Sequence, residues 1–437
     1  MADVNLKEKL ANLGYLMVSE EQIKGDPALP ATPIPLYSED LTANINLDED
    51  NPIMGVRAAR YDVFRGQEDY QGTLKVLAEP KTAGHLFSML LKSGTATGNA
   101  TTGYTHPFTL DSANAYTIEF NKGDIPFRFF GVEAKSIGIA FEENKMVFNV
   151  AVSALGQFSV AKLTSVSATT VVLDDSERQN PTDGLTVSDS LRLYDVSNSN
   201  YEDVTISDIS SDGKTLTVST VGGSYVAGDL SWLAPQTPTY DTAEPFTWAR
   251  TEFRFGATAS AALTATQTRV EQGSNYNILH NFEDDAGAKR SGKYTPASLV
   301  RTQGDMEITL KKFFKDGQEL NRFLQKSDRS LVIRHYSPSD AGTDGTLSEL
   351  RITINEYYLK ENSIPLNSGE IVYGNMVLVP VYDATDEQMF DVQVINSESS
   401  YPLPSSSSSC SSSCSSSSCS SSSCSSSFSS SSSSTSA

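Results

Sequence analysis

The sequence predicts a mainly β protein: two β-sandwich or barrel modules, each with one short helix, tandemly duplicated around a small all-β accessory domain. Three observations carry this. Val, Ile, Thr and aromatic residues recur in alternating runs, the pattern of strands buried on one face. Two strand-to-helix passages follow the same plan. Gly72-Thr73-Leu74-Lys75-Val76-Leu77-Ala78 leads into Pro80 and the run Leu86, Phe87, Met89, Leu90, Leu91. Gly304-Asp305-Met306-Glu307-Ile308-Thr309-Leu310 leads into Phe313, Phe314, Leu320, Phe323 and Leu324. A switch from period 2 to helical spacing, repeated at matched distance, marks an internal duplication. Between the two passages, residues 162–236 change texture to short strands separated by turns such as Asp212-Gly213 and Gly222-Gly223.

Taken in order, residues 1–35 form an arm. Leu6, Leu10, Leu13 and Leu16 fall at helical spacing, and a Pro-rich stretch (Pro27, Pro30, Pro33, Pro35) follows. The first module, 36–161, has expected strands at 40–47, 54–64 and 71–78, a helix at 80–92, then strands at 115–120, 132–141 and 145–160. Glu142-Glu143-Asn144 turns its last hairpin. The accessory domain, 162–236, has six short strands at 163–166, 169–173, 191–194, 202–209, 215–219 and 230–233, a small barrel or sandwich. The second module, 237–400, repeats the first: strands at 247–255, 258–270 and 304–310, a helix at 317–326, and strands at 331–335, 350–359 and 370–382. Residues 271–302 read as a long polar loop, which in a compact domain is functional or disordered. Residues 401–437 are dominated by serine and cannot bury enough apolar area to offset chain entropy, so disorder is expected there.

Composition narrows the function. The chain has 437 residues, room for two or three domains, and a net charge of -21, which on average repels nucleic acid and anionic membranes. No apolar run approaches the roughly 18 residues that span a bilayer. The N-terminus lacks the apolar core of a signal peptide, which points to synthesis in the cytoplasm. All four cysteines, Cys410, Cys414, Cys419 and Cys424, lie in the serine tail, so the domains fold without bridges. Their spacing lacks the paired Cys-x2-Cys of zinc modules; cross-linking of neighbouring subunits after exposure to an oxidising exterior is one reading, incidental thiols in a flexible tail the other.

A search for chemistry yields no catalytic constellation. The four histidines, His85, His106, His280 and His335, are scattered, and there is no nucleophile elbow, Walker loop or dinucleotide fingerprint. Acidic clusters at 48–50, 142–143, 174–175 and 283–285 do not fit an EF-hand. No enzyme, metal or cofactor role is expected.

Three spans do match a known pattern: Tyr116-Thr117-Ile118-Glu119-Phe120, then Phe130-Gly131-Val132-Glu133-Ala134-Lys135-Ser136-Ile137-Gly138-Ile139, then Met146-Val147-Phe148-Asn149-Val150-Ala151-Val152-Ser153-Ala154-Leu155-Gly156. Together they resemble the body of major tail tube proteins of long-tailed bacteriophages, and the second half, from Pro245-Phe246 through Leu310, is similar in layout. The accessory domain and the Ser/Cys tail depart from the family. The resemblance implies a structural virion protein, made in the host cytoplasm, whose rings stack into a hollow tube that conducts DNA during ejection. It also implies a β-barrel inner wall and partners in the tape-measure, tail-terminator and tail-tip proteins. An acidic wall suits that role, because one that gripped phosphates would hold the genome back.

With two modules per chain, three copies would build a pseudo-sixfold ring; the alternative is six copies with one module on the wall. Candidate ring-to-ring contacts are Arg65, Glu68 and Asp69 of a loop expected between Phe64 and Tyr70, together with Glu283, Asp284, Asp285, Lys289 and Arg290 of the polar loop. The rival from another class is an extracellular β-sandwich adhesion or carbohydrate-binding protein.

Overall fold

The first half of the chain grows outward from one long strand that is bent at a bulge. The structure is a computed structural model, described for residues 14–50, 62–176, 180–241, 243–268, 270, 274–282, 296, 298–313, 318–325, 329–365 and 373–401. All belong to the unit 1–404. Strands β1 (Leu16–Glu20), β2 (Thr32–Pro33), β3 (Leu36–Glu39), β4 (Thr42–Asp50) and β5 (Asp62–Leu77) precede helix α1 (Pro80–Leu90). After the helix come β6 (Lys92–Ser93), β7 (Thr97–Asn99), β8 (Gly103–Thr109), β9 (Tyr116–Asn121), β10 (Pro126–Glu142), β11 (Lys145–Ser153) and β12 (Gly156–Phe158). The long strand is β10: its first half pairs with β9 and β12, its second with β11. Helix α1 starts at Pro80, where the missing N–H costs nothing, and its apolar residues, from Ala83 to Leu90, are buried.

The segment 1–13 lies outside the described residues, and Leu16 belongs to no helix. It opens β1, which pairs with β9 from Leu16↔Phe120 to Glu20↔Tyr116. Leu16-Met17-Val18 satisfies its backbone and its apolar side chains at once in that sheet, which outweighs a helical spacing of only four leucines.

Six strands form the accessory domain: β13 (Val160–Val166), β14 (Thr170–Leu173), β15 (Ser190–Asp195), β16 (Asn200–Ile209), β17 (Thr215–Val218) and β18 (Leu230–Leu233). They close in the order β13-β14-β17-β16-β15-β18 and back to β13. Closure removes every sheet edge. Phe158, Leu163, Val171, Leu173, Leu191, Leu193, Val204, Ile206 and Leu216 fill the interior as a core separate from that of the body.

The second half contains β19 (Thr251–Gly256), α2 (Ala259–Thr264), β20 (Asn275–Phe282), β21 (Arg301–Phe313), α3 (Gln318–Gln325), β22 (Arg329–Asp340), β23 (Leu347–Ser363), β24 (Tyr373–Val381) and β25 (Phe390–Asn396). Two sequence expectations are corrected here. Residues 258–270 are not one strand. Thr258 accepts a hydrogen bond from Ala261 N at 3.2 Å and caps a short alanine-rich helix, the conformation those residues favour. Within the expected polar loop 271–302, residues 275–282 form a strand: β20 alternates Tyr276, Ile278 and His280 inward with Asn275 and Asn277 outward.

The duplication is plain in the pairing. In the first half β4 pairs β5, β5 pairs β11, β11 pairs β10, β10 pairs β9 and β12, and β9 pairs β1. Replacing these with β20, β21, β24, β23, β22, β25 and β19 reproduces the whole set in the second half. Three irregularities recur in step. The β4·β5 hairpin breaks register between Ile45/Leu47, opposite Glu68/Arg65, and β20·β21 between His280/Phe282, opposite Gly304/Arg301. The β10·β11 pairing bulges at Ala134/Ser136, and β23·β24 at Leu359/Glu361. The β9·β10 break at Ile118/Tyr116 matches the β22·β23 break at Leu331/Arg329. Bulges sit at defined places in a fold, so their agreement fixes the correspondence.

That correspondence places Gly304 at Glu68 and Ile308 at Gly72, not Gly304 at Gly72 as the opening residues of the two passages suggest. In this register Arg65, Gln67, Asp69, Thr73, Leu74 and Lys75 face Arg301, Gln303, Asp305, Thr309, Leu310 and Lys311, each an identity.

Candidate assembly interface

The two halves meet through a strand joint. Strand β10 of the first half pairs antiparallel with β20 of the second: Ser136↔Leu279, Ile137↔Ile278, Gly138↔Asn277 and Ile139↔Tyr276. Ile137, Ile139, Ile278 and Tyr276 are buried on the core side, while Ser136, Gly138, Asn277 and Leu279 face the other way and are half-buried. Behind the joint, Tyr276 Oη lies 2.5 Å from His335 Nε2, and Thr251 Oγ1 lies 2.9 Å from His335 Nδ1. Burial lowers the His335 pKa to about 3, so the imidazole is neutral here.

By the duplication, β20 corresponds to β4 and β10 to β23. The equivalent joint would pair β23 with β4, and among the described residues these strands are not paired. Among the described residues no strand pairs with the outer edge of Thr42–Ile45 or with the second edge of Glu361–Ser363. Ile45 is 43% exposed, whereas His280, which holds the same place in the completed joint, is 5% exposed. Helix α3 tells the same story: Leu324 is 70% exposed, while the apolar residues of α1 are covered.

The joined sheet runs β4-β5-β11-β10-β20-β21-β24-β23 and has one apolar and one polar face. Leu74, Val76, Val150, Val152, Met306, Ile308, Leu310, Met376 and Leu378 lie on the buried side. On the polar side β5 presents Asp69, Gln71, Thr73 and Lys75, and β21 presents Asp305, Glu307, Thr309 and Lys311. Even a cross-strand contact is duplicated: Lys135 Nζ donates to Gln71 Oε1 at 2.9 Å, and Lys360 Nζ lies 3.6 Å from Glu307 Oε2 at the corresponding place. Each strand has its acids toward one end of this face and its lysine toward the other, so the face carries both signs of charge.

The barrel is fastened to the body by a buried charge cluster. Arg128 Nη1 contacts Asp189 Oδ2 at 2.5 Å, and its Nε and Nη2 donate to Glu119 Oε2 at 3.1 and 2.7 Å. Glu119 Oε1 also accepts from Tyr15 Oη at 2.7 Å and Gln236 Nε2 at 3.3 Å. Burial works against the guanidinium charge, yet Asp189 and Glu119 hold its pKa above the ordinary value. Trp232 Nε1 of the barrel adds a bond to Asp124 O at 3.1 Å.

The candidate contact residues fall in unequal places. Residues 64–70 are not a loop but part of β5. Glu68 is buried and accepts from Tyr70 Oη, which withdraws it from any outer contact, while Asp69 Oδ2 accepts from Gln71 Nε2 at 2.7 Å on the polar face. The backbone of Arg65 lies opposite Leu47. Glu283, Asp284, Asp285, Lys289, Arg290 and the cysteines Cys410, Cys414, Cys419 and Cys424 lie outside the described residues. The strand edges and the polar face, the parts with most to offer a partner, carry no motif; the shared Thr-Leu-Lys of β5 and β21 is the signal that could have led to them.

Little in the described residues resembles a reaction centre. The four histidines sit in packing roles: His85 and His106 lie edge-on to Tyr401, His280 Nδ1 lies 3.1 Å from Leu90 O, and His335 lies behind the joint. A groove of about 270 Å³ beside Arg250, Thr251 and Tyr336 contains one carboxylate, Glu252, already held by Arg254 at 3.0 and 2.7 Å. No helix among the described residues is long and apolar enough to cross a membrane. No protein-family model matches the chain, and no curated protein matches it.

Proposed function

We propose that the chain is a structural protein that assembles with copies of itself into rings, and that the rings stack into the hollow tail tube of a long-tailed bacteriophage virion, a conduit for DNA ejection. The observation that carries this is the duplicated pairing set with one joint made inside the chain and its counterpart left open. A strand edge left open beside a helix whose Leu320 and Leu324 are uncovered is a surface that self-association would cover. The contact from half to half continues into the next copy, a heterologous contact that gives a ring where its rotation closes. The polar face becomes the wall of the bore, and its mixed charges let a phosphate backbone pass without counterion-release binding. The barrel, attached through Arg128 and Asp189, decorates the outside. Tape-measure, tail-terminator and tail-tip proteins would meet the stack along its bore and at its ends.

Electron microscopy of the purified full-length chain tests the proposal. Rings or tubes on the order of 100 Å across, a bore wide enough for a duplex lined by sheets about 10 Å deep, are expected. Dispersed monomers at high protein concentration would overturn it.

A further inference from the structure

We infer that β4 of one copy pairs antiparallel with the 361–364 segment at the end of β23 in a second copy, in the register Leu41↔Ile364, Thr42↔Ser363, Ala43↔Asn362 and Asn44↔Glu361, and that three copies close the ring. The inference rests on the self-assembly proposed above and adds its partner surface and register, with the three copies already expected from two modules per chain.

The register follows from the joint inside the chain. The matched bulges carry Tyr276, Asn277, Ile278 and Leu279 of β20 onto Leu41, Thr42, Ala43 and Asn44. They carry Ser136, Ile137, Gly138 and Ile139 of β10 onto Glu361, Asn362, Ser363 and Ile364. Substituting these into the observed β10·β20 pairs gives the register stated. Faces agree as well. Thr42, Asn44, Glu361 and Ser363 take the places of the polar-face residues Asn277, Leu279, Ser136 and Gly138. Ala43, Asn362 and Ile364 take core-side places, and Ile45 gains the cover that His280 already has. Helix α1 packs on β10 of its own half and also reaches β25 and β23 of the other. The corresponding surface for α3 is β12 and β10 of the next copy, which would cover Leu320 and Leu324. One edge and one helix face, both uncovered and both expecting the same neighbour, identify that neighbour as the first half of another chain. In a tail-tube ring of six repeats, as the proposed function implies, each chain supplies two, so closure takes three.

The test is a disulfide across the new joint in the full-length chain with Cys410, Cys414, Cys419 and Cys424 changed to Ser. Directly opposed residues of an antiparallel pair have Cα atoms about 4.5–5.5 Å apart, within the span a disulfide bridges. The doubles Ala43→Cys/Asn362→Cys and Asn44→Cys/Glu361→Cys should give, after oxidation and on non-reducing gels, a ladder that stops at three chains. The control Asn44→Cys/Asn362→Cys, displaced by one residue and thus facing opposite sides, should stay largely monomeric on the gel. Rings in the microscope without cross-links from either double would overturn the register while leaving self-assembly standing. A ladder running to six would overturn the three-copy closure. Absence of any assembly from the uncross-linked parent would sink the tail-tube proposal and this inference with it.

Discussion

Arg128 and Asp189 touch at 2.5 Å with both side chains 1% exposed, and they belong to different parts of the molecule: Arg128 to the long strand of the first half, Asp189 to the barrel. Asp189 Oδ2 also accepts from Thr186 N at 2.7 Å, and Glu119 closes the other side of the guanidinium. Charges this deep are stable only while each has its partner.

Changing Arg128→Met therefore leaves Glu119 and Asp189 facing each other without a cation. A loss of about 3–5 kcal/mol is expected in urea denaturation. The triple change Arg128→Met, Glu119→Leu, Asp189→Leu should recover most of it, because an apolar filling removes the charges together with their desolvation cost. A single variant that loses under about 1 kcal/mol would show that water reaches the cluster.

Acid should weaken the protein through its buried histidines. Burial lowers His335 to about 3 and His85 to about 4, against 6.5 in an exposed chain. The unfolded state then binds more protons than the native state from about pH 6.5 downward, so each ring withdraws about 1.4 kcal/mol per pH unit until its native pKa is reached. Glu20 and Glu79, both raised to about 7 mainly by burial, act in the opposite sense: their contribution is full below about 4.5 and is lost as pH rises through 7. Comparing His335→Gln with the parent isolates one term. The gap between their denaturation midpoints should narrow steadily from pH 6.5 to pH 4; a constant gap would mean the native imidazole takes up protons as readily as the unfolded one.

Gly84 reverses a common rule. Gly→Ala inside a helix ordinarily stabilises by about 1 kcal/mol. Here a Cβ on Gly84 would lie 2.1 Å from the ring of Tyr401. That ring is fixed by Oη bonds to Lys81 O at 2.7 Å and from Asn396 Nδ2 at 2.5 Å. Gly84→Ala should cost about 1–3 kcal/mol through overpacking, and adding Tyr401→Ala should remove most of the difference between Gly and Ala at this position. Thermal melts of the four variants check the coupling.

What the sequence made legible depended on how strongly each segment punctuates itself. The barrel strands were readable because turns such as Asp212-Gly213 and Gly222-Gly223 separate several of them. The β20 strand was hidden because its outward positions include Asn275 and Asn277 and its inward ones include a histidine, so hydropathy alone did not separate it from a loop. The duplication was visible but misaligned, for a geometric reason. Side chains on a strand repeat every two residues, so sliding Gly304 from Glu68 to Gly72 keeps every residue on its own face and preserves the inside-outside pattern. Only the bulges, which break that period, distinguish the two alignments. The open edge was not legible at all, since an unpaired strand and a paired one carry the same alternation.

Ile45 and Ile278 separate assembly from folding. Ile278 is fully buried in the joint already made within the chain. Ile278→Asp places an unpaired carboxylate in that core and should cost on the order of 3–5 kcal/mol, unfolding much of the protein at moderate temperature. Ile45 is 43% exposed at the edge that remains open. Ile45→Asp should leave the melting temperature within about 2 °C of the parent, as surface changes of up to 0.5 kcal/mol do, yet it should abolish rings, because the carboxylate would have to enter the apolar side of a joint that exists only between chains. Calorimetry and electron microscopy on the same preparation read both outcomes. A variant that melts normally and still forms rings would show that the Thr42–Ile45 edge is not where copies meet.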